Sequence, residues 1–351
     1  PLLGVGSAGE TSAPYASSIV FLFLGGFVLG LGMQRWGLHR RLALLVLSAA
    51  GNRTRRLVGA FMLVTALLSM WISNTATVIM LLPIATSLLV TTADASGDGA
   101  DPALGSLGPA LMLGIAYAAS IGGVATLIGT PPNLILAAFL HERYGIQLDM
   151  VTWLAVGLPV TGVLLPLAWL YVIRVVARDA PATLPGSRTL FALQLRDLGA
   201  RSAGERVVLA VFLCAVVGWV LRPQIVAVPG LTGLSDPVVA MAAALALFAI
   251  PVRMDPWVFA MDWPTARKLP WDVLLLFGGG LTLAAAISRH HVDSFLASGI
   301  TTLAGAPGWA VLLAVVALVV FLTEITSNTA VTATLLPVIA ASAAGLGLAP
   351  G

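Results

Sequence analysis

Long apolar runs separated by short polar ones set the frame of this chain. A bilayer core of about 30 Å is crossed by about 20 mostly apolar residues in a helix. On that scale residues 17–36, 151–176, 207–221, 238–252 and 271–288 read as spans. In residues 37–56 arginines alternate with Leu, Val and Ala, the pattern of an amphipathic helix lying in the membrane interface, and 290–302 reads the same way. Three further apolar blocks are too long or too interrupted to be single spans. Residues 57–90 are broken by WISNT, 107–140 by GGVATLIGTPPN, and 309–344 at 323–329. Residues 91–106 and 178–206 read as polar loops, the second rich in arginine.

Composition agrees with lipid as the main solvent. The chain is 59% hydrophobic and only 9% charged, against about 25% charged residues in soluble domains. The sequence pI of about 9.5 comes from 17 arginines and one lysine that lie in loops rather than on one face, so nucleic acid is not an expected partner. The single Cys214 sits in the apolar run VFLCAVVGWV and reads as a small buried hydrophobe. No cleavable signal peptide is visible, and the chain opens on a Gly/Ser-rich stretch without an initiator Met. The reading is of a piece lacking part of both ends.

Arginine placement orders the loops. Positively charged residues are retained on the cytoplasmic side. If residues 17–36 run inward and both interrupted hairpins return to the side they left, fifteen of the 18 basic residues fall inside, and only Arg143, Arg222 and Arg289 fall outside. Were the first interrupted block a true span, the arginine-rich loop would move outside, so a re-entrant first hairpin is favoured.

The chain also repeats itself. SNTATVIMLLP starts at Ser73 and SNTAVTATLLP at Ser327, an offset of 254; FLFLGGFVLG and LLLFGGGLTL place Gly25 against Gly278 at 253. Each unit reads as a glycine-bearing span, an interfacial helix and a hairpin with SNT at its break. The expected layout is one all-α transmembrane domain over 1–351. Its first repeat is 17–176, with a hairpin at 57–90 and a broken helix at 107–140. A cytoplasmic loop follows at 177–206, then a second repeat at 207–351 with a hairpin at 309–344. An odd number of crossings between the units inverts the second. Inverted repeats with broken helices at the midplane are the pattern of secondary transporters.

The break explains the tripeptide. Non-helical backbone at membrane depth must be satisfied by protein, ion or water. At a hairpin tip the carbonyls that end one half-helix suit a cation, and the amides that begin the next suit an anion. Ser, Asn and Thr add neutral oxygens and donors. GTPPN (129–133) is a third break, with Gly129 permitting unusual φ and two prolines stopping the ladder. A single SNT would read as a helix-packing contact; two matched copies do not. The Gly-Gly pairs are explained by close packing at least as well as by substrate contact. Glu324 is the acidic residue inside an apolar block. Its counterpart in the first repeat is Met70, which favours a bracing role over a symmetric ion ligand. His39, His141, His290 and His291 fall in loops or interfacial segments and form no cluster.

SMWISNTAT (69–77), TEITSNTA (323–330) and IGTPPN (128–133) closely resemble the motifs of the divalent anion:sodium symporters, carriers of di- and tricarboxylates, and the similarity runs over nearly the whole chain. The resemblance implies a homodimer with a fixed scaffold and a mobile transport part moving as an elevator, in the inner (plasma) membrane. It implies one sodium site from the Ser69 backbone, Ser73, Asn74 and the Gly129 backbone, and a second from the Thr323 and Thr326 backbones with Asn328. It implies a substrate site of Asn74, Thr75, Thr130, Pro131, Ser327, Asn328 and Thr329. The offset puts the partner of 129–133 near position 383, beyond Gly351.

The expected function is therefore sodium-coupled symport of small di- or tricarboxylates such as succinate, malate or fumarate. Na⁺ is favoured over H⁺ because neither tripeptide carries a titratable side chain. Other readings are a sulfate, citrate or other anion permease, a dicarboxylate exchanger, or a channel. An intramembrane enzyme would need a nucleophile–base pair or metal ligands at depth, and the spans supply neither.

Overall fold

The computed structural model describes residue 4 and residues 6–96, 102–290 and 308–345. Helices of more than ten residues are numbered here in chain order. They are α1 Ser18–Arg35, α2 Leu38–Ala49, α3 Thr54–Ser69, α4 Asn74–Ser96, α5 Pro102–Val124, α6 Pro131–Tyr144 and α7 Met150–Tyr171. They continue with α8 Ser187–Asp197, α9 Ala203–Val220, α10 Asp236–Ala249, α11 Trp271–Arg289, α12 Gly308–Thr323 and α13 Asn328–Gly345. Among the described residues, five helices are long and apolar enough to cross a membrane: α1, α4, α5, α7 with its π-helical extension to Val176, and α9. The protein is all-α apart from a small antiparallel ribbon, β1 Pro251–Met254 and β2 Trp257–Phe259.

The chain forms two compact units. One comprises residues 1–24, 131–148 and 270–351, the other 25–130 and 149–269. In the first, α11 packs on α13 and α6, and α13 on α6. Gly278 is required there: a Cβ would lie 2.3 Å from the Tyr15 ring. Phe23 meets Phe277 edge-on at 5.4 Å, and Thr282 donates to the Thr11 carbonyl at 3.0 Å.

In the second unit α5 is the axis, packed against α3, α4 and α7. Amphipathic α2 lies on α3 and α8 and buries Leu38, Leu44 and Leu47. Its inward face also carries Arg41. The Arg41 guanidinium donates to Glu205 at 2.6 and 3.2 Å and to the carbonyls of Leu198, Gly199 and Ala200. Glu205 is the third residue of α9 and closes a capping box with Ser202. The pair thus joins the interfacial helix to the start of a span.

Several expectations change. Residues 178–206 are not all loop: α8 forms within them, and its Phe191 is fully buried against Phe61 at 6.1 Å. The apolar run 238–252 is not one helix; it stops at Ala249 because Pro251 follows, pushing Ile250 to extended backbone (φ −85°, ψ 115°). Cys214 is exposed rather than buried, on a face of α9 whose neighbours Leu213 and Val217 are also exposed, as suits a lipid-facing surface. The interfacial segment expected at 290–302 lies outside the described residues beyond His290. On interfacial α2, burial lowers the pKa of His39, aided by the Arg40 charge, against a 3.0 Å contact to the Met33 carbonyl.

Arg222 and Arg289, which the charge pattern places on the outer side, have carboxylates beside them. Arg222 pairs with Asp149 and lies 3.1 Å from Asp236, and Arg289 lies 3.2 Å from Glu10.

Breaking a buried ion pair costs about 3–5 kcal/mol because the surviving charge is stranded. Arg41→Ala should therefore lower the unfolding free energy by about 3 kcal/mol in denaturant titrations in detergent micelles. Arg41→Lys should recover only part of it, since an ammonium cannot reproduce the forked contacts. Equal stability of Arg41→Ala and the parent would show that the pair is not structural.

Candidate functional site

The first break is built from the ends of two half-helices. α3 ends at Ser69, and Trp71 and Ile72 still donate back to the Leu68 carbonyl at 3.0 and 2.9 Å. α4 begins at Asn74. Ser73 acts as its cap, its hydroxyl accepting from the Ala76 amide at 3.3 Å. The buried Ser69 hydroxyl reaches the Asn74 Oδ1 at 2.6 Å and the Ala119 carbonyl of α5 at 2.8 Å. One hydroxyl thus ties both sides of the break to a neighbouring helix.

The unwound segment after α5 closes over this break. The Thr126 hydroxyl donates to the Met70 carbonyl, one of the groups that a helix end leaves unpaired. Glycines make the approach possible. A Cβ on Gly122 would lie 2.4 Å from the Ala66 carbonyl oxygen, one on Gly123 2.7 Å from Asn74 Oδ1, and one on Gly129 2.5 Å from the Gly123 carbonyl oxygen. α7 braces the segment from behind, with Trp153 Nε1 donating to Val124 at 2.9 Å and the Thr161 hydroxyl donating to Ile121 at 3.1 Å. The tip itself is wedged by Trp71, which stacks on Trp219 at 6.1 Å and meets Phe212 edge-on at 5.1 Å.

Ser69, Ser73, Asn74 and Gly129 are therefore brought together within one unit. Ser69 and Gly129 are buried, Ser73, Asn74 and Thr130 half-buried, and Thr75 exposed. The donor set is one of neutral oxygens beside the amides that start α4. Such a set fits a hard monovalent cation next to an anionic group and offers nothing to a transition metal. Residues 69–77 and 122–130 contain no titratable side chain. No group of three or more His, Cys, Asp or Glu able to hold a metal occurs among the described residues.

The second break has the same backbone plan in the other unit. α12 ends at Thr323 and α13 begins at Asn328, the residue equivalent to Asn74. The Val331 amide donates to Ser327 at 2.9 Å, as Thr77 does to Ser73 at 3.0 Å. Thr323 and Thr326 donate their hydroxyls to Val320 and Leu322, at 2.8 and 2.9 Å. Glu324, Thr326, Ser327 and Asn328 are exposed and Thr329 is buried. Glu324 forms no ion pair among the described residues. Pro131, which opens α6, belongs to this same unit.

Thr126, Gly123, Trp71 and Trp153 are the residues that motif reading did not single out. Their signal was present in part: GGVATLIGTPPN marks an unwound stretch, but which of its polar groups turns to the hairpin depends on tertiary contact.

Comparison with known proteins finds relatives along the whole chain. The citrate transporter family matches residues 1–351. A sodium-dependent dicarboxylate transporter of Staphylococcus saprophyticus is 38% identical over 344 residues, 97% of this chain and 66% of that protein. A protein of the same name from Staphylococcus aureus is 35% identical over the same shares. The chain thus spans 66% of the length of these relatives.

Removing the Thr126 hydroxyl leaves the half-buried Met70 carbonyl without this donor, at about 1–3 kcal/mol. Thr126→Val should lower thermal stability in detergent, while Thr126→Ser should retain most of it. Gly122→Ala should lower it too, by about 1–3 kcal/mol, because α3 and α5 must separate. A Val variant as stable as the Ser variant would remove the hydrogen bond from the account.

Proposed function

The chain belongs to the citrate transporter family, and from that premise we propose that it forms the core of a secondary active carrier in which inward sodium drives uptake of small di- or tricarboxylates. The family and the five long apolar helices make it a multi-pass protein of the plasma membrane and not an enzyme. The observation that carries the reading is the matched pair of breaks, each opening a helix at the Asn of an SNT, at Asn74 and at Asn328. The names of the staphylococcal relatives support sodium as the coupling ion and dicarboxylates as the substrate class.

In this reading the first cation is held by the Ser69 and Gly129 backbones, Ser73 and Asn74, and the second by the Thr323 and Thr326 backbones with Asn328. The carboxylates are held by Asn74, Thr75, Thr130, Pro131, Ser327, Asn328 and Thr329. A dianion at the midplane is strongly disfavoured by lost hydration. Each bound Na⁺ offsets part of that charge, and the amides that open α4 and α13 carry the positive end of the helix dipole. Binding of ion and substrate is then mutually favourable, which is the linkage a symporter needs. Movement of the transport part as an elevator, within a homodimer, completes the proposal. Because the family matched is described by citrate, a citrate-selective carrier is the second reading.

Uptake of labelled succinate into proteoliposomes by the full-length protein tests both. Asn74→Ala and Asn328→Ala should each lower uptake about tenfold or more and weaken the sodium dependence together, since a lost hydrogen bond to a charged group is worth about 1.5–3 kcal/mol. Either variant transporting normally with an unchanged sodium response would sink the site assignment. Strong competition by citrate and weak competition by malate would favour the second reading, and competition by sulfate or arsenite would point to a wider anion permease.

A further inference from the structure

A cavity of about 570 Å³ lies where the start of α3 meets the end of α7, in the unit that contains the first break. It is lined by Arg53, Arg55, Arg56, Arg174 and Arg178, and no Asp or Glu lines it. None of these five arginines forms an ion pair among the described residues. Scattered cytoplasmic arginines are the ordinary consequence of membrane topology and form solvated faces. Five that line one cavity without a carboxylate are a different matter: all five are exposed, so water screens their repulsion, and an anion that enters meets positive charge from several sides.

The walls of this cavity are fixed. The loop after α7 is tied to the start of α3: Thr54 N donates to Ala182 at 3.1 Å, Leu184 N donates to Asn52 at 2.8 Å, and the Thr54 hydroxyl donates to Pro181. Trp169 Nε1 donates to the Arg55 carbonyl at 3.0 Å and holds α7 to α3. The first turn of α3 has no acidic residue, so its free amides add to the positive field.

An apolar groove of about 550 Å³ continues from the cavity and shares Arg56 and Trp169 with it. Ala49, Gly59, Leu63 and Pro166 are among its lining residues, and Leu63 is largely exposed. A basic cavity that continues into an apolar groove beside a tryptophan near the end of a span matches one ligand, a phospholipid. Its phosphate sits among arginines and its acyl chain lies along the groove.

We infer that this is a binding site for an anionic phospholipid, with the phosphate headgroup held by Arg53, Arg55, Arg56, Arg174 and Arg178 and a chain in the groove between α3 and α7. A lipid seated there bridges the N-terminus of the first hairpin and the brace helix α7, so it should also stiffen the protein.

The test uses the purified full-length protein in neutral detergent. Binding is read by native mass spectrometry and unfolding temperature by intrinsic fluorescence. The probes are dioleoyl-phosphatidylglycerol, dioleoyl-phosphatidylcholine, inorganic phosphate and glycerophosphoglycerol. Phosphatidylglycerol should bind and raise the unfolding temperature, and the other three should not at equal concentration. Arg56→Gln with Arg174→Gln should weaken binding roughly thirtyfold, at about 1 kcal/mol for each basic residue. Arg188→Gln with Arg196→Gln, on α8 and equal in charge change, should not. Arg178→Gln alone should weaken binding several-fold and gives a separate reading if the double variant does not fold. Equal binding of the two lipids, or full binding by the cavity variants, would overturn the inference. A shift reproduced by phosphate or glycerophosphoglycerol would make the ligand a soluble anion and equally overturn the lipid assignment.

Discussion

Backbone that leaves the helix out of reach of water must find its partners within the protein, and that constraint organises the unit around α5. At the first break the carbonyl of Met70 and the side chain of Asn74 need partners. The partners are Thr126, from a stretch that is itself unwound, and Ser69, which also reaches α5. Two irregular segments thus satisfy each other. Everything around them serves the arrangement. Glycines at 122, 123 and 129 remove the side chains that would hold them apart, and α7 pins the carbonyls that remain. The break is therefore held by its own side chains and backbone.

This mutual dependence explains what could be read from the sequence. Periodicity and block length place the spans to within a few residues, and SNT and GTPPN mark the breaks at 70–73 and 125–130 because helix-stopping chemistry is local. Asn opening each second half-helix is legible for the same reason. The partners are not. Thr126 is one polar residue in GGVATLIGTPPN, and nothing in its neighbours says that it serves a carbonyl 56 positions earlier. The inward turn of Arg41 is hidden likewise, because an arginine on an amphipathic helix is ordinarily a solvated one until Glu205 is placed opposite it. The helix α8 was masked by composition, its arginines outweighing the single Phe191 that anchors it. In each case the missing information is a long-range contact rather than a local propensity.

Charge has two different treatments in this molecule, and the contrast is physical. Arg35, Arg222 and Arg289 each have a carboxylate beside them, at Asp262, at Asp149 and Asp236, and at Glu10. The arginines at the start of α3 and the end of α7 instead line one cavity in which, among the described residues, no carboxylate takes part. Pairing neutralises an arginine that topology would otherwise resist, while unpaired arginines stay available to the negative leaflet. The buried pair of Arg41 and Glu205 stands between these cases, since it stabilises a helix junction and leaves no net charge.

The two breaks are copies in plan, and among the described residues their local bonding differs. Ser69, fully buried and bonded twice, corresponds to Thr323, whose hydroxyl bonds within its own helix. Thr77, whose buried hydroxyl has no hydrogen-bond partner among the described residues, corresponds to Val331, and Met70 corresponds to Glu324. The first tip is already cross-linked to a neighbouring helix. The second presents Ser327 and Asn328 at an exposed end.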